Sequence, residues 1–217
     1  MTDPRLEAAD LAYQRAVFAG DSGAIASAEA GLDAVEADLA LARGRLLHAR
    51  HLDDGGGEDP HELELFQRAG ELYADLSDAR GQGEALFWAG IVHQVIRGDQ
   101  DAAVLLFERS LALAADAGDD LTRSYALRHL GIAASVAGDM DTARAQLEES
   151  TRLRTALGFD AGAAANLIGL AHIAASEDRA DDVGSILAEA MKLTAGPDAA
   201  GVRTWVEQAR ADLQAFL

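Results

Sequence analysis

The six histidines of this chain are the residues whose chemistry is easiest to state, because imidazole binds metal ions and transfers protons near neutral pH. His48 and His51 stand three residues apart on one predicted helix, a spacing compatible with two ligands to a metal ion. The other four histidines follow no metal-binding spacing, so the pattern favours no metal site. His48, Arg128 and His172 carry groups that acid–base catalysis uses.

The sequence lacks the motifs that would place these groups in a known kind of active site. It has no cysteine, no nucleophile–base signature, no glycine-rich nucleotide loop and no cofactor fingerprint. The acidic, glycine-rich segment at 53–59 lacks the spacing of a calcium loop, and we expect it to be a solvated connector. The sequence therefore predicts no cofactor and favours a protein that is not an enzyme.

The charge of the chain narrows the class of its partners. The 217 residues carry a formal net charge of −19, which argues against nucleic acid and anionic membranes as partners. No apolar run approaches the roughly 18 residues that span a bilayer. The N-terminus lacks the basic flank and apolar segment of a signal peptide, so we expect a cytoplasmic protein.

One pattern repeats along the chain with a period of 40 residues. Gly98-Asp99 recurs as Gly138-Asp139 and, more weakly, as Asp178-Arg179. Large apolar residues and small residues keep this period, as in Phe107, Leu147 and Leu187, and in Ser110, Ser150 and Ala190. Self-similarity of this kind is typical of stacked repeats. A lone helical hairpin cannot bury its apolar face, so neighbouring hairpins must stack and the array needs a capped end.

The spacing of apolar residues predicts helices throughout the chain. We expect them at residues 4–19, 22–30, 33–51, 60–77, 81–97, 100–117, 121–137, 140–157, 161–176, 180–194 and 198–216. We expect one domain over residues 1–217, with degenerate helices at 1–59, recognisable repeats at 60–194 and a capping helix at 198–217. The apolar residues expected to pack in this cap are Trp205, Val206, Leu213 and Phe216.

The best repeat reads Leu127-Arg128-His129-Leu130-Gly131 and continues with Gly138-Asp139, Ala143, Leu147 and Ser150. This order resembles the pattern of the tetratricopeptide repeat family, and the resemblance covers residues 66–194. The unit is longer than the family's usual length of roughly 34 residues, resembling the longer repeats of bacterial regulatory proteins. The resemblance implies an all-α fold: a right-handed α-α superhelix, or solenoid, of stacked antiparallel helix pairs with a C-terminal capping helix.

In that family the first helix of each pair lines a concave groove, and the 40-residue register carries this implication to the present chain. One row contains His48, Trp88 and Arg128, and the row one helical turn further on ends at His172. Asn166 interrupts a column otherwise filled by apolar residues. The resemblance thus implies a ligand-binding groove lined by His48, Trp88, Tyr125, Arg128, Asn166 and His172. The alternative is that Trp88 is a core residue and that Arg128 pairs with one of the 37 acidic residues.

Three functions fit such a groove. The first is a scaffold that binds a protein or peptide segment, because aromatic anchors together with arginine are common in binding hot spots. Arg128 with a histidine is expected to hold a carboxylate, either of a peptide C-terminus or of a small acid, while the acidic surface would attract a basic partner. The second is a small-molecule-binding protein or enzyme that uses the groove as a pocket. The third is a self-association module, in which exposed repeat ends form a homodimer.

Overall fold

The computed structural model describes residues 2–216 and shows an all-α protein. Its helices are α1 Pro4–Ala19, α2 Ile25–Asp54, α3 Pro60–Asp75, α4 Ala79–Ile91, α5 Gln100–Asp116, α6 Asp120–Val136, α7 Met140–Ala156, α8 Asp160–Ser176, α9 Ala180–Leu193 and α10 Ala200–Asp212. A π-helical turn, Val92–Ile96, extends α4, and short 3₁₀ turns flank α10. Within residues 2–216 there is no strand, and no helix is long and apolar enough to cross a membrane. Leu217, the last residue of the predicted cap, lies outside the described residues.

The repeated Gly-Asp dipeptide ends one helix and starts the next. At Gly138 the backbone takes a φ of 85°, a left-handed conformation that glycine adopts without a steric penalty. The next residue, Asp139, accepts a hydrogen bond from the backbone N–H of Thr142 over 3.0 Å and so caps α7. Asp99 caps α5 through the N–H of Ala102 in the same way. The period seen in the sequence is therefore a period of helix ends.

The chain divides into two compact units, residues 1–117 and residues 118–217. In the first unit each helix packs on the next, from α1 to α5. The core of this unit is built from buried side chains of α2, α3 and α4, including Phe66 and Tyr73 of α3 and Ala85 of α4. Burial of these apolar faces stabilises helices that would be marginal in isolation.

In the second unit α6, α7, α8 and α9 pack in succession, and α10 packs on α8 and α9. Val206 of α10 and Leu213, directly after it, are buried in one cluster with Leu187 of α9, as expected of a capping helix. The paired packing of consecutive helices confirms the all-α fold predicted from the sequence. The right-handed superhelix and the single domain stay predictions.

Two local predictions were wrong. Residues 25–54 form one helix of 30 residues, α2, rather than two helices separated near Gly31. Gly31 does not end the helix, because no proline follows it and its φ is not left-handed. Trp205, expected to pack in the C-terminal cap, is instead 57% exposed.

Candidate functional site

In the first unit, His48 of α2 and Trp88 of α4 lie side by side. Their ring centroids are 5.6 Å apart in an edge-to-face arrangement. Trp88 also stacks on Phe66 at 5.8 Å, and the guanidinium of Arg45 lies 5.5 Å from the centre of the indole ring. The indole is only partly buried, so it packs on the core while keeping some contact with solvent.

His48 has an internal partner. It is 7% exposed, and its Nδ1 lies 3.0 Å from Oε1 of Glu62, which is fully buried. Burial raises the pKa of the Glu62 carboxyl, although the nearby His48 acts in the opposite direction. His51 stacks on His48 at a centroid distance of 6.5 Å. No group of three or more histidine, cysteine, aspartate or glutamate side chains positioned to hold a metal ion occurs in the part of the chain that the structure describes.

Two surface grooves of the first unit lie beside these residues rather than on them. One, of about 240 Å³, lies between α2, α3 and α4 and is lined by charged groups that include Arg45, Arg80 and Glu84. The other, of about 550 Å³, lies between α3, α4 and α5. None of the six residues predicted to bind a ligand lines either groove.

In the second unit, two arginines converge on one asparagine. Arg128 of α6 and Arg154 of α7 each donate a hydrogen bond from Nη1 to Oδ1 of Asn166 on α8, over 3.0 and 3.1 Å. The same Nη1 atoms also donate to backbone oxygens of α8, those of Ala165 and Gly162. We call Arg128, Arg154 and Asn166 the arginine site.

Two serines fix the orientation of Asn166. Its Nδ2 donates a hydrogen bond to Ser150 Oγ over 2.8 Å, and Ser150 Oγ in turn donates to the backbone oxygen of Ser124 over 2.6 Å. Because the amide nitrogen of Asn166 is used in this way, its oxygen is the atom that faces both guanidinium groups. Ser124 Oγ also accepts a longer hydrogen bond from Arg154 Nε, at 3.3 Å.

Aromatic rings surround the guanidinium of Arg154. It lies 4.8 Å from the centre of the Tyr125 ring and 5.5 Å from that of Phe159. The Phe159 ring occupies the space directly above Gly162, where a Cβ atom would come within 2.4 Å of it. Glycine at position 162 is therefore what allows this ring to lie beside the arginine.

Neither cation of the arginine site has an acidic partner among the described residues. Arg154 is 2% exposed, and its Nη2 is buried without a hydrogen-bond partner within that part of the chain. Burial and repulsion from Arg128 lower the pKa of Arg154 to about 10, and burial lowers the pKa of Arg128 as well. Both side chains are still charged at neutral pH, so the site holds two positive charges that face one neutral oxygen.

The structure brings some of the predicted residues together and leaves others apart. In the second unit Arg128, Tyr125 and Asn166 belong to one cluster, whereas His172 is exposed on α8 and takes no part in it. Sequence reasoning missed Arg154. The repeat contained a signal for it, because the equivalent positions 40 residues away, Ala114 and Thr194, are fully buried. An arginine in a column of buried small residues indicates an internal cation.

The arrangement suits binding better than catalysis. Guanidinium groups hold carboxylate and phosphate oxygens through charge-assisted hydrogen bonds, and they do so more strongly where water is excluded. Arginine does not give up its proton near neutral pH, so the pair does not supply a general base. In a search of protein-family models and of curated proteins, nothing matched this chain.

Proposed function

We propose that the protein is a non-enzymatic, tetratricopeptide-repeat-like scaffold that binds a segment of another protein and holds a carboxylate of that segment at the arginine site. The observation that carries this proposal is the pair formed by the half-buried Arg128 and the buried Arg154, neither of which has an acidic partner among the described residues. The proposed place of action is the cytoplasm, in keeping with the sequence expectation.

The lack of an acidic partner for this pair among the described residues is unusual, because the chain has more than twice as many acidic as basic residues. Among the described residues, at least eight other arginines form ion pairs with aspartate or glutamate: Arg5, Arg45, Arg68, Arg97, Arg123, Arg144, Arg152 and Arg179. Arg154 is less exposed than any of these eight and therefore loses more hydration, yet it has no such partner in that part of the chain. A carboxylate brought by a ligand would supply the missing negative charge.

The surroundings favour a carboxylate over a neutral group. The aromatic rings of Tyr125 and Phe159 exclude water from Arg154, which strengthens any charge pairing there. Guanidinium nitrogens only donate, so the incoming atom must be an acceptor, and the half-buried Arg128 is the more accessible of the two side chains. Oδ1 of Asn166 already accepts a hydrogen bond from each arginine, but this neutral oxygen does not balance their two positive charges.

In the first unit, Trp88 and Arg45 form a separate surface with the features of a protein-binding site. The half-buried indole is held by Phe66 and His48, and the arginine lies over it. Rigid aromatic anchors with an adjacent arginine are typical of binding hot spots. His48 acts there as a buried support of Trp88 rather than as a contact residue.

Binding of an arrayed peptide library tests the proposal. Each peptide is made once with a free C-terminal carboxylate and once with a C-terminal amide, and is offered to the wild type, to Arg128→Gln and to Arg152→Gln. Arg152 is the matched control, since it lies on α7 two residues from Arg154 but is exposed and pairs with Glu149. Removing one partner of a buried charge pair is expected to weaken binding by more than about tenfold.

We expect peptides that bind the wild type to lose affinity with Arg128→Gln and to keep it with Arg152→Gln. Amidation, or replacement of one peptide aspartate or glutamate by its amide, should have the same effect as Arg128→Gln. Equal binding to the two variants would refute the assignment of the arginine site. Binding of succinate without binding of any peptide would instead support the small-molecule alternative.

A further inference from the structure

The long helix α2 carries an exposed apolar stripe with a period of seven residues. Ile25, Leu32, Leu39 and Leu46 form one row, and all four are exposed. The row beside it, three residues further on, consists of Ala28, Val35, Ala42 and Ala49. We call these eight residues the α2 seam. They occupy positions a and d of consecutive heptads, the pattern by which two helices pair along their length.

The α2 seam lies on the side of α2 that the first unit does not use for its core. The buried side chains of this helix, such as Ala37, Leu41 and His48, belong to the opposite side, where α3 and α4 pack. From Ile25 to Ala49 the seam extends over about 36 Å of helix. Its four large residues are exposed over this length, while Ala28 lies beside α1.

The alternation of large and small residues selects the direction of pairing. In an antiparallel pair, positions a of one helix face positions d of the other. Each large residue then meets a small one: Ile25 faces Ala49, Leu32 faces Ala42, Leu39 faces Val35 and Leu46 faces Ala28. A parallel pair would place large against large and leave gaps between alanines, and such gaps cost packing energy.

The charged residues along one edge of the seam also favour antiparallel pairing. Glu29 and Glu36 lie beside its N-terminal half, and Arg43 and Arg50 lie beside its C-terminal half; all four side chains are exposed. An antiparallel pair places the acidic half of one helix next to the basic half of the other. A parallel pair would bring like charges together.

A groove on the first unit fits one of the expected contacts. It has a volume of about 170 Å³, lies between α1 and α2, and is lined mainly by apolar groups that include Leu11, Ala24 and Ala28. In the antiparallel register, Leu46 of the second copy faces Ala28. Leu46 is the most exposed of the four large residues of the seam, at 69%, so its side chain is available to enter such a groove.

From this complementarity we infer that the α2 seam binds the α2 seam of a second copy of this chain, antiparallel, to form a symmetric homodimer. The inference is independent of the proposed function, because the arginine site belongs to the other unit.

Sedimentation equilibrium tests the dimer. Leu46→Glu should weaken self-association by at least about tenfold, because each dimer would bury two unpaired carboxylates. Leu105→Glu is the matched control, since Leu105 on α5 is 68% exposed and is not part of the seam. We expect this control to associate like the wild type. A wild type that stays monomeric at its highest soluble concentration, or equal effects of the two substitutions, would overturn the inference.

Disulfide cross-linking tests the direction independently, because the natural chain has no cysteine. Ala28→Cys and Leu46→Cys proteins of different tag length are mixed and oxidised. The antiparallel register predicts a mixed disulfide between the two proteins in preference to either homodisulfide. A predominance of Ala28→Cys homodimers would indicate parallel pairing, and random cross-linking would indicate no seam contact; either result contradicts the inference.

Discussion

Arg128→Gln is expected to make the ligand-free protein at least as stable as the wild type, although most substitutions of partly buried residues are destabilising. Arg128 repels Arg154, and this repulsion is one of the two causes that lower the pKa of Arg154. Glutamine keeps a side-chain N–H that can donate to Ala165 O or Asn166 Oδ1, where Arg128 donates now. The substitution therefore removes a buried charge and retains part of the hydrogen bonding.

The magnitude follows from the pKa of Arg154. The fall of this pKa to about 10 means that folding is about 3 kcal/mol less favourable with Arg154 charged than with Arg154 neutral. Burial is the larger cause and Arg128 the smaller, so removing Arg128 relieves the smaller part of this cost. Loss of one hydrogen bond offsets part of this gain, by about 1 kcal/mol at most. The expected change is a gain of between 0 and about 1 kcal/mol, or a rise of up to about 4 °C in Tm.

Urea unfolding at pH 7 measures this change, since both arginines are fully charged there. Arg152→Gln is the control, and its exposed, paired side chain should change the free energy of unfolding by less than about 0.5 kcal/mol. A loss of more than about 1 kcal/mol in Arg128→Gln would refute the reasoning. It would mean that the two cations are already compensated in the free protein.

Three further predictions concern the helices around these residues. Gly162→Ala should lower stability by about 1–3 kcal/mol, because the added methyl group overlaps the Phe159 ring, and thermal unfolding measures this loss. Asp139→Ala should cost about 1 kcal/mol in urea unfolding, because it removes the side-chain cap of α7. Glu62→Gln should gain stability relative to the wild type as pH rises above about 4.5. The buried Glu62 has a raised pKa in the folded state, so the folded wild type binds more protons than the unfolded chain in this range and loses stability with rising pH. Unfolding of both proteins between pH 4 and pH 8 measures the difference, and parallel curves would contradict the assignment.

The helical fold could be predicted because each of its signals is local. Asp139 caps α7 through a contact with Thr142 only three residues away, and Gly138 ends the preceding helix by its own conformation. The sequence prediction divided α2 into two helices because glycine, the residue type at position 31, is common in turns. Whether a glycine ends a helix depends on its φ, which for Gly31 is not left-handed in a helix that packs along α1.

The candidate site could be predicted only in part. Asn166 was identified because a polar residue broke an apolar column, and it is the centre of the arginine site. Arg154 was missed because an arginine on the second helix of a pair is ordinarily a solvent-facing residue. Its burial depends on three helices meeting around Asn166, and the sequence signals it only through the small residues at the equivalent positions 40 residues away, Ala114 and Thr194. His172 had the right spacing, but it points to solvent.

Binding of a carboxylate by Arg128 and Arg154 can be measured directly by NMR of the guanidinium groups in ¹⁵N-labelled protein. Succinate and acetate are titrated into the wild type, with acetamide as the neutral control. We expect saturable shifts of the Arg128 and Arg154 Nε–H signals with both acids, no shift with acetamide, and no comparable shift of Arg152. Signals of Arg128 and Arg154 that stay in place, or that move no more than the signal of Arg152, would contradict such binding.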